Sequence, residues 1–150
     1  MSTQAPDLTV RKSIVVDCSP ERAFEAFTAE KTLWWPYETH SASGERPERV
    51  VYEPRAGGRV YDVLPGGREH DWGTVLAWEP PHRVAVEWKV NPKNPPTELE
   101  VRFSPEGDVT RVDLEHRGWE RYGEEAAESF GSYDSGWDFV LGRYAQAINS

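Results

Sequence analysis

Residues 126–148 read Ala126-Ala127-Glu128-Ser129-Phe130-Gly131-Ser132-Tyr133-Asp134-Ser135-Gly136-Trp137-Asp138-Phe139-Val140-Leu141-Gly142-Arg143-Tyr144-Ala145-Gln146-Ala147-Ile148. The apolar members fall at Ala126, Phe130, Tyr133, Trp137, Val140, Leu141, Tyr144 and Ile148. Steps of three and four place them on one stripe, roughly 100° wide or a little more, the width of a core-facing helix surface. Phe139 alone leaves the stripe. A surface carrying Trp137 and two tyrosines is too apolar to face water, so the spacing predicts a long helix laid against something broad. Gly131, Gly136 and Gly142 each weaken such a helix by up to about 1 kcal/mol relative to Ala. Gly131 and Gly142 lie away from the stripe, where close packing gives no reason for them.

Upstream the dominant period changes to two. Leu8, Val10, Ile14 and Val16 share one parity against Thr9, Arg11 and Ser13, a first strand interrupted only by Lys12. Ser19-Pro20-Glu21 then offers an N-cap, a proline at the first helical position and an acid suited to the helix dipole. The short helix that follows buries Ala23, Phe24 and Phe27. Leu33, Trp34 and Trp35 predict a second short helix, ended by Pro36, and Tyr37 to Glu48 reads as an irregular loop. From Val50 onward, strand-like runs alternate with turn clusters such as Arg55-Ala56-Gly57-Gly58, Pro65-Gly66-Gly67 and Pro105-Glu106-Gly107-Asp108. Trp72, Thr74, Leu76 and Trp78 share a parity, as do Val84, Val86, Trp88 and Val90, then Leu99, Val101 and Phe103, and finally Val112, Leu114 and His116.

Strands that are apolar on one face and polar on the other form an antiparallel sheet covered on one side only. The C-terminal helix is the one long amphipathic element available to cover it. The order is strand, two short helices, about six strands and a long helix, an α+β helix-grip arrangement. The expectation is a flexible tail over residues 1–7 and a single domain over residues 8–150.

With 150 residues the chain is about one domain long. Seventeen basic against 26 acidic residues leave a net charge of -9 with no basic cluster, which argues against nucleic acid. No apolar run approaches the roughly 18 residues of a membrane span, and the N-terminus lacks a basic segment followed by an apolar core, so a cytoplasmic protein is the expectation. The lone Cys18 excludes an intramolecular disulfide and a multi-cysteine metal site.

Several segments together resemble a known family. Cys18-Ser19-Pro20-Glu21-Arg22-Ala23-Phe24, Gly57-Gly58-Arg59, Trp72-Gly73-Thr74-Val75, Trp78-Glu79-Pro80-Pro81-His82-Arg83-Val84, Glu115-His116-Arg117-Gly118 and Gly136-Trp137 look like SRPBCC, or START-like, domains. More narrowly they resemble bacterial relatives of the activator of the heat-shock chaperone ATPase, from about Val10 to Tyr144. The resemblance implies a seven-stranded antiparallel sheet wrapped around a C-terminal helix with a deep cavity between them. It implies no single activity, since members of the superfamily bind lipids, hormones or polyketides, a few catalyse, and the eukaryotic activator stimulates a chaperone ATPase.

His116 shares the parity of Val112 and Leu114 and therefore points inward, where a polar group needs a partner. It fits a core histidine bonded to a tyrosine hydroxyl or a backbone carbonyl. It also fits an anchor for a ligand's polar atom, or a general base whose reacting partner the sequence does not identify. Trp72, Trp88 and Trp137 are each placed inward by their own periodicity, and Trp34 and Trp35 stand where the short helices close one end. Together they describe either a bulky core or an aromatic-lined pocket, with Tyr61, Tyr133 and Tyr144 as sources of hydroxyl groups. The ligand-binding set expected is Trp34, Trp35, Tyr61, Trp72, Trp88, His116, Tyr133 and Trp137.

Glu69, His70 and Asp71 invite a metal reading, as does His40 with Glu38. Neighbours on a strand point to opposite faces, so His70 and Asp71 do not converge on one ion. No metal and no cofactor are expected. Cys18 at a helix start reads as a structural thiol, and no nucleophile elbow or phosphate loop occurs. The leading expectation is a non-enzymatic domain that holds an apolar or aromatic small molecule between helix and sheet. The alternatives are a chaperone-associated or regulatory module and a cyclase- or hydrolase-like enzyme.

Overall fold

A computed structural model describes residues 8–36, 39, 46–90 and 93–149. The tail 1–7, most of the loop Tyr37 to Glu48, and the pair Glu38 and His40 lie outside the described residues. Seven strands run β1 (Val10–Val16), β2 (Arg49–Tyr52), β3 (Arg59–Val63), β4 (Glu69–Glu79), β5 (Arg83–Trp88), β6 (Thr97–Glu106) and β7 (Val109–Arg117). They form one antiparallel sheet in the order β1-β7-β6-β5-β4-β3-β2. Helices α1 (Pro20–Phe27) and α2 (Lys31–Trp34) follow β1, and α3 (Ala126–Asn149) ends the chain after a 3-10 helix over Trp119–Glu125. The architecture is the helix-grip α+β arrangement anticipated from the sequence.

Local chemistry accounts for the short elements. The Ser19 hydroxyl accepts from the Arg22 amide at 3.2 Å, with Pro20 at the first helical position, so α1 begins where a capped helix should. Its face carrying Ala23, Phe24, Ala26 and Phe27 is buried. In α3 the stripe turns inward as the spacing predicts. Ala126, Trp137, Val140, Leu141 and Tyr144 are buried, and Phe130, Tyr133 and Ile148 pack on the core. Tyr144 closes the far end by donating to the Ala23 carbonyl at 2.7 Å. Phe139, off the stripe, stays 44% exposed beneath the Arg143 guanidinium.

The interruption at Lys12 has a physical reason. Its side chain lies on the helix-facing side of the edge strand β1 and reaches the rim of α3, 3.1 Å from Asp134 and 3.0 Å from Asp138. Burial pulls against its charge, yet the two carboxylates outweigh that and raise its pKa. One cation thus ties the sheet edge to one helix turn.

Strand β4 departs from the simple alternation. Tyr61 and Val60 of β3 face Asp71 and Gly73, leaving Trp72 as an extra residue, and Ala85 and Val86 of β5 face Ala77 and Val75, leaving Leu76 as another. Each bulge shifts the parity by one. Trp72 and Val75 are therefore buried, whereas Thr74 and Leu76, expected inward, are exposed. Trp78 is partly buried, its ring 5.0 Å from Phe24. Gly73 sits where a Cβ would stand 1.8 Å from the Glu87 carbonyl oxygen, a close approach that only glycine permits.

Candidate functional site

The inner faces of β5, β6 and β7 and the stripe of α3 converge on His116, which is fully buried. The Trp137 indole nitrogen lies 3.0 Å from His116 Nδ1, and Thr97 Oγ1 lies 2.7 Å from Nε2. An indole N–H can only donate, so Nδ1 must accept. The neutral ring then carries its proton on Nε2 and donates it to Thr97. Desolvation, aided by the charge of Arg117, drives the His116 pKa down to about 3, so the ring is neutral at physiological pH. Trp119 lies against it at 4.5 Å and donates its indole N–H to the His116 carbonyl at 3.0 Å.

An aromatic cluster extends from this histidine. Trp88 stands 5.5 Å from His116, 5.7 Å from Trp137 and 5.6 Å from Trp72, and its indole N–H donates to the Tyr133 hydroxyl at 3.2 Å. Trp35 lies 4.8 Å from Trp72 and 6.0 Å from Trp137. These are the offset and edge-on separations that aromatic pairs favour. Two open clefts flank the cluster. One, of about 320 Å³, is lined by Asn94, Tyr122, Glu125, Ser129, Ser132 and Tyr133 at the start of α3. The other, also about 320 Å³, is lined by Leu33, Trp34, Trp35, Arg46, Arg143 and Gln146.

Beyond Trp35 and Trp72 the chemistry changes. Lys31, the first residue of α2, is fully buried and donates to the Tyr52 hydroxyl at 2.5 Å. Among the described residues five rings surround its ammonium, with Phe27 at 4.4 Å, Tyr52 at 4.9 Å, Trp35 at 5.1 Å, Trp72 at 5.4 Å and Trp34 at 5.8 Å. Desolvation pulls its pKa down to about 7 against the attraction of Asp62, while the ring faces favour the charged form. Asp62 is also fully buried. Burial raises its carboxyl to about 6, offset in part by the Trp72 indole N–H, which donates to Oδ1 at 2.7 Å, and by the charges of His70 and Lys31. Asp62 Oδ2 and His70 Nδ1 are buried with no hydrogen-bond partner among the described residues.

Residues 17–148 match the family described as activator of Hsp90 ATPase homolog 1-like protein. The chain belongs to this family. Among solved structures it is similar to the anthrahydroquino-γ-pyrone synthase Txn09, with 34% identity over 93% of this chain and 96% of that one, at a TM-score of 0.65. It is also similar to CalC of Micromonospora echinospora, a self-sacrificing resistance protein, with 28% identity over 95% and 94% of the two chains and a TM-score of 0.73. The Aha1 dimer of Colwellia psychrerythraea shares the fold at 18% identity, over 94% and 96% of the chains, with a TM-score of 0.66. No curated protein sequence matches the chain.

Within this Hsp90-activator-like fold, Trp35, Trp72, Trp88, His116, Tyr133 and Trp137 are brought together as one cluster. Trp34 joins its edge, 5.9 Å from Trp35, but its indole N–H is spent on the Ala26 carbonyl at 2.6 Å. Tyr61 does not join. It lies on the outer face of β3, half-buried, with the Arg59 guanidinium 4.1 Å from its ring. Val60 and Asp62 take the inner parity, and the apolar content of either face of this strand gave no means of choosing. His70 and Asp71 do point to opposite faces, since Asp71 pairs with Arg59 outside at 2.7 Å while the His70 Nδ1 is buried. Burial pushes the Cys18 thiol up, away from the reactive thiolate. Sequence reasoning missed Lys31, Tyr52, Asp62 and Trp119. For Asp62 no signal existed, because alternation sets it beside Val60 but, with both faces of the strand apolar, does not say which of them is the inner one.

Proposed function

We propose that the chain binds a planar, largely apolar aromatic molecule between α3 and the sheet, without altering it. The observation that carries this reading is the contiguous aromatic cluster buried between α3 and the sheet. It runs from Tyr133 at one open cleft, through Trp88, Trp137 and Trp72, to Trp35 at the other. Small-molecule sites are typically apolar with a few placed polar groups, and here nearly every indole N–H is already committed to a named acceptor. Such walls offer ring faces and edges rather than hydrogen bonds, which suits a flat hydrocarbon skeleton. The 34%-identical relative is named as an anthrahydroquino-γ-pyrone synthase, and that supports the ligand class.

Titration with 9,10-anthraquinone and with 2-methoxynaphthalene tests the reading, with tryptophan fluorescence and melting temperature as readouts. Binding should quench the fluorescence. At about a hundredfold excess over Kd it should add about 2.7 kcal/mol of stability, several degrees for a chain of this size. An unchanged spectrum and melting temperature up to the solubility limit would overturn it.

The same relative favours a second reading, synthase- or cyclase-like catalysis at the same cluster. The family match likewise suggests a chaperone-associated module. Stimulation of a chaperone ATPase by this chain, undiminished when the aromatic site is occupied, would favour that partner over the small molecule.

A further inference from the structure

Asp62 and His70 are register partners across β3 and β4, on the inward face beside Trp72. Each carries a buried polar atom that no described residue satisfies, Oδ2 on the aspartate and Nδ1 on the histidine. Such atoms are rare in folded proteins, because an unmet buried acceptor or donor costs the full loss of its hydration. The other polar groups nearby are accounted for. Asp62 Oδ1 takes the Trp72 indole N–H, and Lys31 donates to Tyr52. Lys31 and Asp62 attract each other through space, yet no ion-pair contact joins them among the described residues.

We infer that the Asp62–His70 pair is the polar pole of the aromatic site and takes a hydroxyl group on the ligand's ring. This rests on the binding reading above. A hydroxyl is both donor and acceptor, so one such group donates to Asp62 Oδ2 and accepts from His70 Nδ1–H, satisfying both atoms. A ketone or an ether lacks the donor that Oδ2 requires. The position is right for a ring lying along the cluster, because Trp72 belongs to both parts. Its ring meets Trp35 and Trp88, and its N–H holds the aspartate. Lys31, in its ring of aromatics, supplies a positive charge that favours the ionised, accepting form of Asp62. The ligand is therefore a phenol of a polycyclic aromatic, with the hydroxyl at the end that reaches β3 and β4.

The experiment compares 2-naphthol with 2-methoxynaphthalene, nearly matched in shape and differing in the donor, on the wild type, Asp62→Asn and His70→Gln. The naphthol should bind the wild type at least about tenfold more tightly, the worth of one buried hydrogen bond to a charged acceptor. Asp62→Asn keeps an acceptor for Trp72 and replaces Oδ2 by an amide donor, which an ether oxygen can accept as readily as a hydroxyl, so the preference for the naphthol should vanish. His70→Gln should reduce the preference by a smaller factor. It also guards the test should Asp62→Asn fail to give a wild-type near-ultraviolet circular dichroism spectrum. Equal affinities of the two probes for the wild type, or a preference unchanged in a folded variant, overturn the hydroxyl pole and leave the aromatic site standing. Binding of neither probe overturns both.

Discussion

His116 and Asp62 are both fully buried polar residues on the inner face of one sheet, and their surroundings treat them in opposite ways. Both ring nitrogens of His116 are bonded, one by Trp137 and one to Thr97, and even its carbonyl is claimed by Trp119. Asp62 has one oxygen bonded and one without a partner among the described residues, across from a histidine whose Nδ1 likewise has none among them. The contrast teaches that burial of a polar side chain does not by itself mark a site. A satisfied group is held by its packing, whereas the Asp62–His70 pair is where the proposed ligand hydroxyl would complete the bonding.

The largest expected effect separates the two histidines. His116→Ala removes a buried ring and strands the Trp137 N–H and the Thr97 hydroxyl, so it should cost about 3–5 kcal/mol. His70→Ala, at a partly exposed residue whose buried nitrogen has no partner among the described residues, should cost under about 1 kcal/mol. Urea unfolding of both variants measures the difference, and equal losses would erase the distinction between the two ends.

Acid sharpens the same comparison. His116 has its pKa lowered to about 3, so the unfolded chain takes up this proton first and stability is lost as pH falls from 6.5 toward 3. Asp62 has its pKa raised to about 6, so the folded chain protonates first and falling pH adds stability between 6 and about 4. The histidine shift is the larger, on the order of 3 kcal/mol between pH 6.5 and 4. The wild type should therefore weaken in acid, and His116→Gln should flatten or reverse that slope. Lys31, with its pKa lowered to about 7, works in the other direction of pH, because the folded chain releases its proton first and gains stability between 7 and 10.5. Lys31→Met should abolish that alkaline gain. Denaturant midpoints across pH 4–10 report all three, and slopes indifferent to these replacements would refute the assignments.

The smallest effect lies on the outside of α3. A Cβ added at Gly131 or Gly142 meets nothing within 4 Å. Gly131→Ala and Gly142→Ala should each stabilise the helix by up to about 1 kcal/mol, read as a rise in melting temperature, without changing ligand affinity. A loss of affinity in either would extend the site to that face.

Much of this was legible in advance because burial and periodicity are coupled. A helix shows the core the same stripe along its length, so Tyr133, Trp137, Val140, Leu141 and Tyr144 announced themselves, and an alternating strand placed Trp88 and His116 inward. Alternation failed where the strand was irregular. Two bulges in β4 sent Thr74 and Leu76 outward, and an ambivalent strand hid the outward turn of Tyr61.

The chain's own order of residues determined the element sequence, the cap at Ser19, the gripped helix and the indole-rich inner face, because each depends on near neighbours or on a repeated period. Only the tertiary structure decided which polar groups were satisfied. Thr97, His116 and Trp137 meet from three separate elements, as do Lys31, Tyr52 and Trp72. Whether a buried donor finds its acceptor depends on distances between elements remote in sequence, and no local pattern records those distances.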